Sequence, residues 1–123
     1  MSARRESRVV NASAHRGDIW LMDFGEPVGR EQSGRRPAVV VSADPLNESR
    51  AGVLIVVPCT TTRRGLPSHI EIEPGRSGLD DVIYAKCEDV KSVSEQRLVT
   101  RLGSVVDETL FAIARALRFL LDL

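Results

Sequence analysis

The stretch Val53-Leu54-Ile55-Val56-Val57-Pro58 is the longest apolar run in the chain, and it restricts the fold more than any other feature. Six residues fall far short of the roughly 20 that cross a membrane. Its β-branched residues favour extended backbone, so Val53–Thr60 reads as a buried strand. Ala38–Ser42 is a second continuous apolar run, opened by Pro37, and proline is tolerated at the first position of a strand. Two such strands need a core around them, and the composition supplies one. The chain has 123 residues, one domain's length, of which 42% are hydrophobic and 28% charged. A disordered segment would be apolar-poor with a large net charge.

Seventeen basic and seventeen acidic residues cancel. Net charge therefore points to neither nucleic acid nor membrane, and any basic surface must be local. Fifteen of the seventeen basic residues are Arg. Arg grips phosphate bidentately where Lys acts as a point charge, but a GC-rich genome produces the same bias. Residues 1–14 are Ser- and Arg-rich without periodicity or an apolar segment, so they read as a mobile N-terminal arm and not as a secretory signal. Two cysteines, Cys59 and Cys87, make no disulfide framework and fit a reducing interior. The expectation is a soluble cytoplasmic protein with one domain over 15–123.

Alternation places a first strand at Asp18–Phe24, and glycines and a proline among charged residues mark Gly25–Arg36 as a loop. Asp44–Gly52 reads as a turn or short helix. Further strands are predicted at His69–Ile72, Val82–Val90 and Leu98–Val105. From Glu108 onward Leu110, Ile113, Ala114, Leu117 and Leu121 recur at helical spacing, with Asp107 placed to cap the helix. Six short strands and a closing helix predict a mainly β protein, a small barrel or curled sheet.

Most catalytic constellations are missing. Neither a G-x-x-x-x-G-K-[ST] nor a G-x-G-x-x-G loop occurs. Cys59, Cys87, His15 and His69 lack metal-ligand spacing, so no metal site or cofactor is expected. Cys59 ends an apolar strand, where a free cysteine behaves as a small hydrophobe, and His69 fits a strand edge. What remains is a cluster at two strand ends. Arg35 and Arg36 precede one buried strand, after a loop holding Glu31 and Gln32. Thr60, Thr61, Thr62, Arg63 and Arg64 follow the other. If these strands are adjacent and antiparallel, Arg36 lies near Thr60 on one rim. Guanidinium, hydroxyl and amide donors gathered there suit a phosphodiester; the bland alternative is a solvated rim whose arginines pair with carboxylates.

The segments Arg16-Gly17-Asp18-Ile19-Trp20, Gly29-x-Glu31-Gln32-x-Gly34-x-Arg36-Pro37-Ala38-Val39-Val40-Val41-Ser42 and Val57-Pro58-Cys59-Thr60 resemble the MazF/PemK toxin family. Leu66-Pro67, Gln96-Arg97-Leu98 and the C-terminal helix add to the likeness, which covers roughly residues 15–121. The resemblance implies an SH3-like barrel with a C-terminal helix, acting as a homodimer. It implies metal-independent, sequence-specific cleavage of single-stranded RNA, chiefly mRNA, by a toxin silenced by a cognate antitoxin with an acidic C-terminal segment. It assigns catalysis to Arg36 and Thr60 and places Glu31 and Gln32 in the loop that lines the RNA groove; Arg35, Thr61 and Arg63, from the rim itself, are expected to contact RNA as well, and no general base is assigned. The chain departs from the family at Glu88-Asp89-Val90-Lys91 and at Arg30, which bears on cleavage sequence rather than chemistry. Two alternatives share the fold: a DNA-gyrase poison and a non-catalytic RNA- or peptide-binding module.

Overall fold

The computed structural model describes residues 14–26 and 34–123. At its centre is the strand that the apolar run predicts, β3 (Val53–Thr60). The others are β1 (Asp18–Asp23), β2 (Arg35–Val40), β4 (His69–Ile72), β5 (Ile83–Lys86), β6 (Lys91–Ser94) and β7 (Leu98–Ser104). A four-residue helix, α1 (Asp44–Asn47), follows β2, and α2 (Asp107–Leu121) closes the chain. All pairings are antiparallel, in the order β4-β5-β3-β2-β1-β7, with β6 added to the edge of β3.

β3 has both edges paired. One edge meets β2; the other meets β6 over Val53–Val56 and then β5 over Cys59–Thr60. The bond from Val41 N–H to Ile55 O shows that odd-numbered residues of β2 and β3 bond to each other. The nitrogen of Pro58 therefore points to the far edge, where pairing passes from β6 to β5. The nitrogen of Pro37 points toward β3 and has no hydrogen to give. The β2–β3 ladder ends beside it, at Ala38↔Pro58.

Both faces of β3 are buried as well. Ile19, Val39, Val57, Cys59, Ile83, Ala85 and Ile113 form one cluster, and Trp20, Met22, Ala38, Val40, Leu54 and Val56 form the other. Neighbours in sequence alternate between them, as side chains must along a strand. Helix α2 covers the first cluster with Leu110, Ile113, Ala116 and Leu117. The second is enclosed by the curl of the sheet, with Ala14, Val93 and Leu98 sealing it.

The two ends of the strand order also meet, without a ladder. The turn after β4 lies across β7, with Ser104 N–H donating to Arg76 O at 3.0 Å. Two glycines permit the crossing. A Cβ on Gly78 would stand 1.7 Å from Leu102 O, and one on Gly103 2.3 Å from Arg76 O. The sheet is thus barrel-like in shape but open in its hydrogen bonding.

Several sequence-based expectations shift. β2 spans Arg35–Val40, so both arginines belong to the strand and not to the loop before it. The stretch Val82–Val90 divides into β5 and a 3-10 turn, Cys87–Asp89. β6 was not expected, because Val93 is its one buried residue and it shows no apolar pattern. Asp107 does not cap α2: the N-cap is Val106, and Asp107 lies inside the first turn, where its charge favours the positive end of the helix dipole. Leu121 is 54% exposed, so the packing stripe stops at Leu117. Among the described residues no helix is long and apolar enough to cross a membrane.

Gly103→Ala sets a methyl group against backbone that has nowhere to move, and should cost about 3 kcal/mol, the upper range for overpacking. Gly65→Ala, also at positive φ but with nothing within 4 Å, should cost about 1 kcal/mol from backbone strain alone. Thermal unfolding of the two variants side by side measures the difference; equal losses would mean that the β7 crossing does not hold the sheet's ends together.

Candidate functional site

Where the β2–β3 ladder stops, the sheet opens into a polar rim. Extending its register by two residues from Ala38↔Pro58 sets Arg36 opposite Thr60. On either side the ladders continue the line: Met22 faces Arg36, Tyr84 faces Thr60, and Glu71 faces Tyr84. Residues opposed across antiparallel strands share a face, with Cβ atoms about 5 Å apart. Arg36, Thr60, Tyr84 and Glu71 therefore form one row across four strands. This is the face that carries Trp20, Ala38 and Val56 deeper in the molecule. Arg36 is exposed and Thr60 half-buried.

The Thr60 hydroxyl has a set direction. Its Oγ accepts the Thr62 amide at 3.1 Å, which occupies a lone pair and leaves the O–H to donate elsewhere. Thr61 and Arg63 follow on an exposed segment. Arg35 stands at the same rim on the opposite face, across from Asp23. Glu31 and Gln32 lie outside the described residues. The backbone flanking them is paired: Phe24 N–H donates to Gly34 O at 2.9 Å, and Gly34 N–H to Gly25 O at 2.8 Å. Gly25 and Gly34 both have positive φ, 76° and 68°, which lets the chain turn away beyond Asp23 and before Arg35. Arg97 donates from Nη1 to Asp23 O at 3.0 Å beside this junction.

One step along the same face, His69 lies opposite Lys86. The His69 ring bonds Glu88 Oε2 through Nε2 at 2.7 Å, and Ser68 donates to Glu88 Oε1 at 2.7 Å. Burial pushes the Glu88 carboxyl up, but the bonds from His69 and Ser68 outweigh it and hold it below its ordinary value. Lys86 reaches Asp89 at 2.9 Å. On β4 and just beyond, Glu71 and Glu73 share a hydrogen bond, which together with their mutual repulsion raises the Glu73 carboxyl. The rim thus presents cation, hydroxyl, phenol and carboxylate side by side.

The cysteines take no part. Cys59 is fully buried, and desolvation with the neighbouring Cys87 pushes its thiol far up; burial and Glu88 bring the Cys87 thiol to about 11. Both are inert as nucleophiles, as expected for Cys59. His69 does lie on the edge strand β4. Among the described residues no three His, Cys, Asp or Glu side chains converge on a point that could hold a metal ion.

Sequence reasoning brought Arg36 and Thr60 together but missed Tyr84 and Glu71. The alternation Ile83-Tyr84-Ala85-Lys86 was the available signal: with Ile83 and Ala85 inward, Tyr84 and Lys86 must face the other way. Tyr84 is only half-buried, and Phe111 and Phe119 are 64% and 86% exposed on α2.

Known proteins share this architecture. The profile of the PemK-like, MazF-like toxins of type II toxin–antitoxin systems matches residues 15–121. The chain is 38% identical over 113 residues to the probable endoribonuclease MazF5 of Mycobacterium tuberculosis (strain ATCC 25618 / H37Rv), covering 92% of this chain and 97% of that protein. It is 34% identical over 113 residues to the endoribonuclease MazF9 of the same strain, covering 88% and 96%. Among solved structures, an endoribonuclease in complex with its cognate antitoxin from a Mycobacterial species superposes with a TM-score of 0.74 at 25% identity, covering 90% of this chain and 97% of that one. A mainly β, curled sheet with a C-terminal helix, matched along nearly its whole length, identifies the chain: it belongs to the PemK-like, MazF-like family of type II toxin–antitoxin toxins.

Proposed function

We propose that this protein is the toxin of a type II toxin–antitoxin system, an endoribonuclease that cuts single-stranded RNA, chiefly mRNA, at specific sequences and so halts translation and growth. The observation that carries the reading is the register of β2 against β3, which sets Arg36 across from Thr60 on an open polar rim. The names of the relatives, endoribonucleases of 34% and 38% identity, support the reaction class. They lend nothing to the gyrase-poisoning alternative, in which Arg36 and Thr60 have no task.

The mechanism follows from what the rim offers. The substrate's own 2′-oxygen attacks the adjacent phosphorus, forming a P–O bond as the bond to the 5′-oxygen breaks. The 2′-proton leaves to a base, and the 5′-oxygen takes up a proton. Arg36, charged at any physiological pH, stabilises the non-bridging oxygens as negative charge builds on them. A preorganised donor of this kind is worth about 10²–10³ in rate. The Thr60 O–H, its oxygen held by the Thr62 amide, donates to a phosphate oxygen. Glu31, Gln32, Thr61 and Arg63 are assigned to the RNA path around that phosphate, and Arg35, on the opposite face of the same rim, to RNA farther along. No metal or cofactor enters the scheme.

Two partners complete the proposal: a second copy of the chain, and a cognate antitoxin with an acidic segment, as the Mycobacterial relative was solved with its antitoxin. RNA in the cytoplasm is the substrate, and the protein is placed there.

Arg36→Ala should be almost inactive. Arg36→Lys should be badly impaired, because it keeps the charge but loses the planar fork. Arg35→Ala, on the other face, should lower kcat far less. Rates on a long RNA in EDTA, with 5′ ends mapped, measure all three; wild-type cutting by Arg36→Ala overturns the site.

Thr60→Ser should stay active, while Thr60→Ala should lose most of kcat with little change in RNA affinity. The products should carry a 5′-hydroxyl and a 2′,3′-cyclic phosphate, and a 2′-deoxy sugar at the cut should abolish cleavage. Cleavage despite that sugar excludes 2′-oxygen attack, and intact RNA alongside inhibited DNA gyrase favours the alternative.

A further inference from the structure

We infer that Tyr84 is the platform on which the RNA base next to the cleaved phosphate stacks, which makes it a specificity-determining residue; the inference rests on the Arg36–Thr60 site proposed above. Tyr84 faces Thr60 directly across the β3–β5 ladder, so their Cβ atoms lie about 5 Å apart on one face. A phosphate held by the Thr60 hydroxyl therefore has its flanking nucleotide within reach of the phenol ring. The ring belongs to neither hydrophobic cluster and is half-buried at the polar rim of that face.

Among the described residues no other aromatic ring is open on that face. Trp20 and Phe24 are 3% and 9% exposed in the second cluster, and Lys91 sits over the Phe24 ring at 5.4 Å. Phe111 and Phe119 project from α2. Among the described residues Tyr84 is thus the one aromatic on the row of Arg36 and Thr60. Single-stranded RNA is read by splaying bases onto aromatic rings, and every base offers a face to such a ring. The neighbouring Glu71 and Lys86 are positioned to meet the edge of a base that the ring holds.

The test couples protein and RNA changes. A short RNA spanning one mapped cut is made with an abasic ribose at either nucleotide flanking the scissile phosphate. With wild-type protein, one of the two should raise KM about tenfold, within the usual cost of losing one stacked base. Tyr84→Leu should raise KM by a similar factor on intact RNA and lose nothing further on that abasic RNA, with kcat largely kept. Tyr84→Phe should recover most of the loss. An uncleavable RNA with a 2′-deoxy sugar at the cut and 2-aminopurine at the flanking position gives a readout independent of activity. Its fluorescence should be quenched by wild type and Tyr84→Phe, and not by Tyr84→Leu. Equal KM losses on abasic RNA for wild type and Tyr84→Leu, or equal quenching by Leu and Phe variants, overturn the inference. Arg36→Ala on the cleavable short RNA separates the two proposals: if it is dead while Tyr84→Leu is uncoupled, the site stands and the stacking role falls. If it cuts normally, the site itself is wrong.

Discussion

β3 has both faces buried and both edges paired, so its backbone hydrogen bonds control how the rest of the sheet is arranged. In a strand so enclosed every N–H and C=O needs a partner, because an unpaired polar group away from water costs about as much as a lost hydrogen bond. Two prolines decide where that requirement lapses. Pro58 falls where the outer edge passes from β6 to β5, allowing one strand to serve two neighbours that diverge. Pro37 ends the ladder to β2, and beyond it the same register sets Arg36 on one strand across from Thr60 on the other.

The site is consequently an extension of the core and not an addition to it. Along one face of the sheet the side chains run from Val56 and Ala38, fully buried, to Thr60 and Arg36 at the rim. The same alternation that packs the interior aims the groups proposed to act on RNA outward, with paired strands on either side. Groups that act on developing charge are most effective when they need not reorganise, and the site proposed above stands on strands rather than on a loop.

Closure of the sheet is handled differently from its centre. The strand order leaves β4 and β7 as edges, and they are joined by a turn laid over glycine rather than by a ladder. Gly78 faces the Leu102 backbone and Gly103 the backbone of Arg76 and Ser77, so the contact relies on two missing side chains. Such a contact cannot be recognised from one glycine alone; it exists only when segments 25 residues apart in sequence are brought together.

The strands β3 and β4 and the existence of α2 were legible because their signals are local: β-branched runs and helical spacing report burial directly. The Arg36–Thr60 juxtaposition was legible conditionally, since it required only that two buried strands be antiparallel neighbours. β6 escaped notice because a four-residue edge strand with one inward residue carries almost no periodic signal. Asp107 was misplaced as a cap because a helix start one residue earlier satisfies the same apolar spacing. Tyr84 and Glu71 could not be joined to Thr60 from sequence, because they lie 24 and 11 residues from it along the chain and only the β3–β5–β4 register brings them into its row. The sequence by itself determined which segments are extended and which faces are apolar, through side-chain size, branching and alternation. Register and strand order were left to the tertiary structure, since they depend on backbone bonds between segments whose side chains do not record each other's positions.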